Sequence, residues 1–151
     1  MRDRFEEVYE NPADKFVAGF IGTPPMNFMD CKLKEENGEL FLKTKDFSTP
    51  VPSKVEDKVR EESSEDEVIL GVRPENVYVG RKKKSKKQIP AKVDVVEPIG
   101  SDNLIHLNTG EIHLIARVNP NVEIEVGEEP KIRFDEEKMH IFDEKTEKAI
   151  F

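Results

Sequence analysis

The apolar positions change period three times along the chain, and each change predicts a new element. Between Arg2 and Glu10, Phe5, Val8 and Tyr9 fall at i, i+3 and i+4, one face of a helix. Asn11-Pro12 restarts the pattern, with Asn suited to cap and Pro suited to the first helical position. Phe16, Val17, Phe20 and Ile21 then form the apolar stripe of a second predicted helix, which Gly22 stops and Thr23-Pro24-Pro25 keeps from resuming.

After Pro25 the period falls from 3.6 to 2. Met29, Cys31 and Leu33 alternate with charged residues as a half-buried strand, Asn37-Gly38 signals a tight turn, and Leu40-Phe41-Leu42 returns. Phe47–Pro52 reads as an irregular connection. Ser53 and Glu56 have capping-box spacing, so Ser53–Glu62 is a predicted helix packing Val55 and Val59. Ser63–Glu67 is an acidic loop. Val68–Val72 is apolar on both faces, an interior strand. Arg73-Pro74-Glu75-Asn76 breaks it and Val77-Tyr78-Val79 resumes. Ala91, Val93 and Val95 alternate with charges, and Pro98–Asp102 turns the chain into Leu104–Leu107. Asn108-Thr109-Gly110 then makes a hairpin into Ile112, Leu114, Ala116 and Val118. Val122, Ile124 and Val126 alternate with Glu123 and Glu125 as a further strand, and Lys131–Phe134 and Met139–Phe142 close the chain. Many short strands separated by regular turns predict a small barrel or sandwich. The two leading helices look like the tail of something larger.

Composition narrows the function. The 151 residues are 36% hydrophobic and 37% charged, with a formal charge of −8, which disfavours a general nucleic-acid binder. Six of the 24 basic residues fall in Arg81–Lys87, so the remainder is strongly acidic. That run is expected to be a solvated loop. The bias toward Lys and Glu, with Gln88 the one glutamine, is the composition of proteins from hot environments. Cys31 alone rules out an internal disulfide framework and a multi-cysteine zinc site, and its apolar strand face predicts an inert core thiol. No apolar run approaches membrane-spanning length and no signal peptide opens the chain, so a cytoplasmic location is expected.

No catalytic constellation is legible, so no catalytic, cofactor-binding or metal-ligating residue is assigned. Phosphate-loop, G-x-S-x-G and H-E-x-x-H patterns are absent from the sequence. His106 and His113 flank the Thr109-Gly110 turn and could face each other across a hairpin, with cross-strand packing the expected role. His140, between Met139 and Ile141, reads as a structural or interface residue.

Four segments then resemble one family. Tyr9-Glu10-Asn11-Pro12 through Pro24-Pro25-Met26-Asn27 resembles the junction that follows the nucleotide-binding domain in ATPase subunits of ABC-type sugar importers, of the maltose/glycerol-phosphate type. Gly71-Val72-Arg73-Pro74-Glu75 is similar to that family's G-[IV]-R-P-E signature. Val96–Asp102 is similar to its E-P-x-G-S/A turn, and Phe134-Asp135 through His140-Ile141-Phe142-Asp143 to its closing stretch. The basic run and the acidic Ser63–Glu67 stretch are departures from the pattern.

The resemblance implies a mainly β, OB-like (transport-associated, TOBE) small barrel preceded by two short N-terminal helices. Residues 1–22 would be the helical tail of an absent nucleotide-binding domain, and 23–151 the regulatory domain, in halves 23–80 and 81–151. It implies a non-catalytic regulatory and dimerisation domain, with ATP and magnesium belonging to the absent domain. The implied partners are a second copy of this domain, the nucleotide-binding domain of the same subunit, the importer's transmembrane subunits and, in some members, a regulatory protein or small effector. The place is peripheral, at the cytoplasmic face of the membrane. A permanent β-clasp would keep two moving ATPase halves at high effective concentration. The interface residues expected are Arg73, Pro74, Glu75, Gly100, Ser101, Phe134, His140 and Phe142, with Arg73 able to fork onto a carboxylate, Glu75 being the nearest. An internal structural turn is the competing role for Arg73-Pro74-Glu75. Two other functions stay open. One is a barrel sensing an oxyanion or sugar, with Ser101, Asn103 and Lys92 as loose candidates. The other is an OB-type nucleic-acid binder resting on the lysine run.

Overall fold

The structure is a computed structural model that describes residues 4–22, 24–80 and 88–151; of Arg4 and Phe5 only the backbone is described. The predicted Phe5 contact, Thr23 and the basic run Arg81–Lys87 therefore lie outside the described residues. Two short helices, α1 (Arg4–Glu10) and α2 (Lys15–Phe20), precede the strands β1 (Asn27–Glu36), β2 (Glu39–Lys43) and β3 (Ser48–Pro50). A 3-10 turn at Ser53–Val55 runs into α3 (Glu56–Glu62). Then come β4 (Glu67–Val72), a 3-10 turn at Pro74–Asn76, β5 (Val77–Gly80), β6 (Ile89–Pro90), β7 (Lys92–Pro98), β8 (Asn103–Asn108), β9 (His113–Val118), β10 (Lys131–Phe134) and β11 (His140–Asp143).

These strands form three antiparallel sheets, β11-β4-β1-β2-β3, β5-β10-β6 and β7-β8-β9. The predicted interior strand is β4, held between β1 and β11. The Asn37-Gly38 turn is as expected: both residues have positive φ, 52° and 80°, the twist a two-residue hairpin needs. Alternation sorts the first sheet into two faces. Met29, Cys31, Leu40, Leu42, Val68, Leu70, Val72 and Ile141 point into the main core, which the other two sheets and Val55 and Val59 complete. Ile69 and Phe142 point the other way, and with Ala18 of α2 and Met26 they form a small second core, with Phe28 packed against it.

A side chain ties the first sheet to the third. The Asn27 amide donates to Ile115 O and accepts from Ile115 N–H, both at 2.9 Å, and so acts as one rung of backbone ladder between β1 and β9.

Several predicted elements are corrected. The second helix starts at Lys15, not at Asn11-Pro12. Asn11 N–H closes the first helix on Glu7 O at 2.9 Å, and Asp14 is the cap, accepting from Val17 N–H. Its predicted stripe is turned: Phe16 and Phe20 are 75% and 77% exposed and Ala18 is buried. Phe47–Pro52 contains β3, whose Pro50 is tolerated because the strand lies at a sheet edge. The capping box does not form. Ser53 makes no cap bond, and Glu56 instead accepts Leu40 N–H at 2.6 Å. A bulge between Val93 and Val95 shifts the β7 alternation, leaving Val95 49% exposed. Residues 122–126 form no strand. Val122 N–H closes a turn on Asn119 O, Glu128 N–H closes another on Glu125 O, and residues 127 and 128 pair with Val93.

Candidate functional site

The G-V-R-P-E segment is where the barrel meets the N-terminal helices. Gly71, in β4, lies beneath Met26 and Phe142. A Cβ there would sit 2.5 Å from Met26 Sδ and 2.9 Å from Phe142 Cε2, so only glycine fits the second core. Two residues on, Arg73 is 3% exposed. Its Nη1 donates to Ile21 O at 2.7 Å and its Nη2 to Tyr9 O at 2.9 Å, and the guanidinium stacks over the Tyr9 ring at 3.9 Å. One planar cation thus bridges the ends of both helices, a geometry a lysine cannot reproduce. Tyr9 in turn donates its hydroxyl to the Glu75 carboxylate.

The electrostatics follow from this packing. Burial, then the Glu75 hydrogen bond and charge, push the Tyr9 hydroxyl up to about 12. Burial pulls the Arg73 guanidinium below its ordinary value, partly offset by Tyr9 and Glu75. The Arg73 Nε is buried without a hydrogen-bond partner among the described residues. The forked Arg73–Glu75 contact expected from sequence is therefore replaced: the guanidinium donates to two backbone carbonyls, and Glu75 takes the phenol.

A second set of contacts holds the start of α2. Lys15 N–H donates to Glu147 O and Ala149 N–H to Ala13 O, each at 2.9 Å, with Asp14 and Lys148 bridged between them. Asp143, 3% exposed, organises this tail by accepting from Ser64 N–H at 2.7 Å, the Ser64 hydroxyl at 3.1 Å and Thr146 N–H at 2.9 Å. The Ser64 amide above all holds its carboxyl below the usual carboxylate range.

The other predicted interface residues are scattered by the fold. Pro74 is buried in the 3-10 turn. His140 pairs with Gly71 across β11 and β4, and its ring lies 6.3 Å from that of Phe142. Burial lowers its pKa, with the charges of Arg73 and Lys138 acting in the same direction. Phe142 and Phe134 are 0% and 3% exposed within this chain. Phe134 is in another sheet, edge-on to Phe47 at 6.1 Å. Gly100 and Ser101 are exposed at the β7–β8 tip, where Gly100 has φ +96°. That tip is linked inward by Asp102, which accepts from Arg117 Nε at 2.8 Å.

His106 and His113 do not face each other. His106 is opposite Ile115 and meets Glu97 at 3.0 Å; His113 is opposite Asn108 and lies 3.8 Å from Asp94. Among the described residues no group of three or more His, Cys, Asp or Glu is placed to hold a metal ion. Cys31 is buried, and its burial pushes the thiol up to about 12. Lys92 pairs with Asn108 at one end of the β7–β8 hairpin and Asn103 with Pro98 at the other, roughly 20 Å away at strand rise, so the loose oxyanion set does not converge. Lys92 instead lines an open cleft of about 390 Å³ with Lys131, Glu129 and Thr109.

Sequence reasoning missed Tyr9, Asn27, Asp143 and Asp46. Asp46 binds the β8–β9 turn to the loop after β2, accepting from the Thr109 hydroxyl, Glu111 N–H and Ile112 N–H at 2.9–3.0 Å. Burial pushes its carboxyl up, but these hydrogen bonds outweigh it and hold the pKa below the ordinary value. Asp46 lies outside every motif, and Tyr9, Asn27 and Asp143 lie in the resembling segments with no role legible there, because their partners Glu75, Ile115 and Ser64 are far away in sequence.

Residues 22–77 match the MalK OB fold domain and residues 70–142 the TOBE domain. The trehalose/maltose import ATP-binding protein MalK of Thermococcus litoralis is 36% identical over 154 residues, covering 97% of this chain and 40% of its own. The sulfoquinovosyl glycerol transport ATP-binding protein SmoE of Agrobacterium fabrum is 37% identical over 150 residues (96% and 39%). The multiple sugar-binding transport ATP-binding protein MsmK of Streptococcus mutans is 35% identical over 150 residues (96% and 39%). The chain thus spans about two-fifths of the length of these relatives. A crystal structure of the cytoplasmic molybdate-binding protein ModG, with molybdate bound, shares the fold at a TM-score of 0.57 and 12% identity, over 76% of this chain and 94% of that one. With the two domains in order across most of its length and the G-V-R-P-E turn at their overlap, this chain belongs to the MalK-type OB and TOBE domain family of sugar ABC importer ATP-binding proteins.

Proposed function

We propose that this chain is the non-catalytic regulatory and self-association module of the ATP-binding subunit of a carbohydrate ABC importer. The observation that carries the proposal is the match to such subunits over 95–97% of the chain. ATP and magnesium would be handled by a separate domain of the same subunit. The module would pair with its copy in a second subunit, and the assembly would sit on transmembrane subunits at the cytoplasmic face. No helix among the described residues is long and apolar enough to cross a membrane itself.

The Arg73 clamp gives the module a mechanical role. The two leading helices are fastened to the barrel at Tyr9, at Ala13–Lys15 and at Ile21, so displacement of anything attached to them reaches the barrel without slack. Calorimetry with ATP and magnesium and analytical ultracentrifugation test the proposal. The isolated chain is expected to bind no nucleotide and to self-associate. Micromolar ATP binding, or a monomer at millimolar concentration together with a monomeric full-length subunit, would overturn it.

A further inference from the structure

We propose that the lysine-lined cleft where β2 ends beside β1 binds a small phosphorylated polyhydroxy compound, a ligand with one anionic end. The cleft has a volume of about 410 Å³, and Lys32 and Lys34 of β1, Lys43 of β2 and Lys45 just after it line it. Its origin is in the register. β2 pairs with β1 only from Lys43↔Lys32 to the Asn37-Gly38 turn, so residues 27–31 of β1 run on past the end of β2. The two-residue turn makes Glu36 and Glu39 a pair that exchanges both hydrogen bonds, and every second residue of β1 then bonds toward β2. Asp30 continues that series, so its N–H points into the gap that β2 leaves, whereas Leu33 N–H, of the other series, donates to Asp66 O on the β4 side at 2.7 Å. The rim of the gap is fixed. The Thr44 hydroxyl accepts from Asp46 N–H at 3.1 Å and Phe47 N–H at 3.0 Å, and Asp46 anchors that loop to the β8–β9 turn.

Charge selects an anion. Lys32 and Lys43 are directly opposite each other and exposed, and like charges so placed repel. The chain has 32 acidic residues with which to neutralise them. Lys15, Lys45, Lys58 and Arg60 each have a carboxylate within 4.0 Å. Among the described residues Lys32, Lys34 and Lys43 have none. Three ammonium groups beside a backbone N–H are donors without an acceptor, the complement of a phosphoryl group. Asp30 and Glu67 line the same cleft and define the rest of the ligand. Ionised carboxylates accept hydrogen bonds and repel anions, so they bind hydroxyls and exclude a second phosphoryl group. The volume is that of a small-molecule site, several times what a bare oxyanion fills. None of these residues belongs to the Ser101, Asn103 and Lys92 group that the fold disperses. The site is complete within this chain and stands independently of the function proposed above.

Amide NMR titration of the chain at low ionic strength tests the site, with glucose 6-phosphate as the probe. Saturable shifts of the Asp30, Lys32 and Thr44 amides are expected, with affinity about tenfold above that for inorganic phosphate, because the hydroxyls add hydrogen bonds. Glucose alone is expected to shift none of them. Lys32→Gln/Lys43→Gln should weaken glucose 6-phosphate about tenfold, the sum of two exposed charge pairs. The same variant should melt no lower than the parent, because it removes a like-charge pair, so its loss of binding is not loss of fold. Lys58→Gln, on α3 and outside the cleft, should bind as the parent does. Absence of saturable shifts at millimolar glucose 6-phosphate, or unchanged affinity in the double variant, overturns the site. Equal affinity for inorganic phosphate overturns the hydroxylated ligand. A dimer of the chain that the double variant dissolves gives the lysines to a second copy and overturns the proposal as well.

Discussion

Replacing Arg73 with Met removes two charge-assisted donors from Ile21 O and Tyr9 O and keeps most of the apolar stem. Hydrogen bonds to a charged group contribute about 1.5–3 kcal/mol each, and a partly desolvated stack on an aromatic ring about 0.5–2 kcal/mol. Against this, the substitution relieves the desolvation of a cation that is 3% exposed. The net loss is set at about 2–4 kcal/mol. That loss is expected to be local, because none of the described side chains of α1 or α2 belongs to the main core. Hydrogen exchange at Lys15, Val17, Ala18 and Ile21, whose amides bond to Glu147 O, the Asp14 carboxylate, Asp14 O and Val17 O, should therefore accelerate about 30- to 1000-fold, at 1.36 kcal/mol per decade. Amides of β8 and β9 should exchange at their original rates. Arg73→Lys keeps the charge but cannot span both carbonyls or stack flat, and should fall between. Exchange at the four N-terminal amides within threefold of the parent in Arg73→Met would refute the clamp.

Gly71→Ala forces a methyl against Met26 Sδ and Phe142 Cε2, and overpacking of this kind should cost about 1–3 kcal/mol by urea unfolding. Asn27→Asp sets a carboxylate oxygen against Ile115 O and removes the donor to it, so at pH 7 it should melt below Asn27→Ala, the reverse of what loss of contacts alone would give. Asp143 has a folded pKa below its unfolded value, so its contribution is complete at neutral pH and is lost as pH falls through about 4 and below; Asp143→Asn should lower stability at pH 7 and flatten the acid limb of a Tm–pH profile. Tyr9 is displaced upward, from 10 to about 12, so its contribution is complete below pH 10 and fades as pH rises from 10 through about 12. Tyr9→Phe should shrink that alkaline decline.

The strands most clearly marked by alternation, β1 and β9, are where sequence reasoning predicted them, because one face of each is buried and the side-chain period records it. Period alone misled where another constraint took over. Val122–Val126 alternates as a strand should, yet turns at Asn119–Val122 and Glu125–Glu128 take up its backbone groups. Val95 is turned outward by a bulge that the sequence does not mark. On α2 the four apolar positions cover more of the helix surface than the second core accepts, and periodicity cannot say which side is left out. The G-V-R-P-E motif was found for its resemblance, but its chemistry was assigned to the wrong partner. A carboxylate two residues away is visible in a sequence; carbonyls 52 and 64 positions upstream are not.

The pairing of residues 13–15 with residues 147–149 has a consequence for synthesis. Residues 13–15 thus depend on a partner segment that is translated long after them. Until Lys148 and Ala149 have cleared the ribosome, α2 lacks one of its two fastenings, and the nascent chain waits with its closing stitch still unmade.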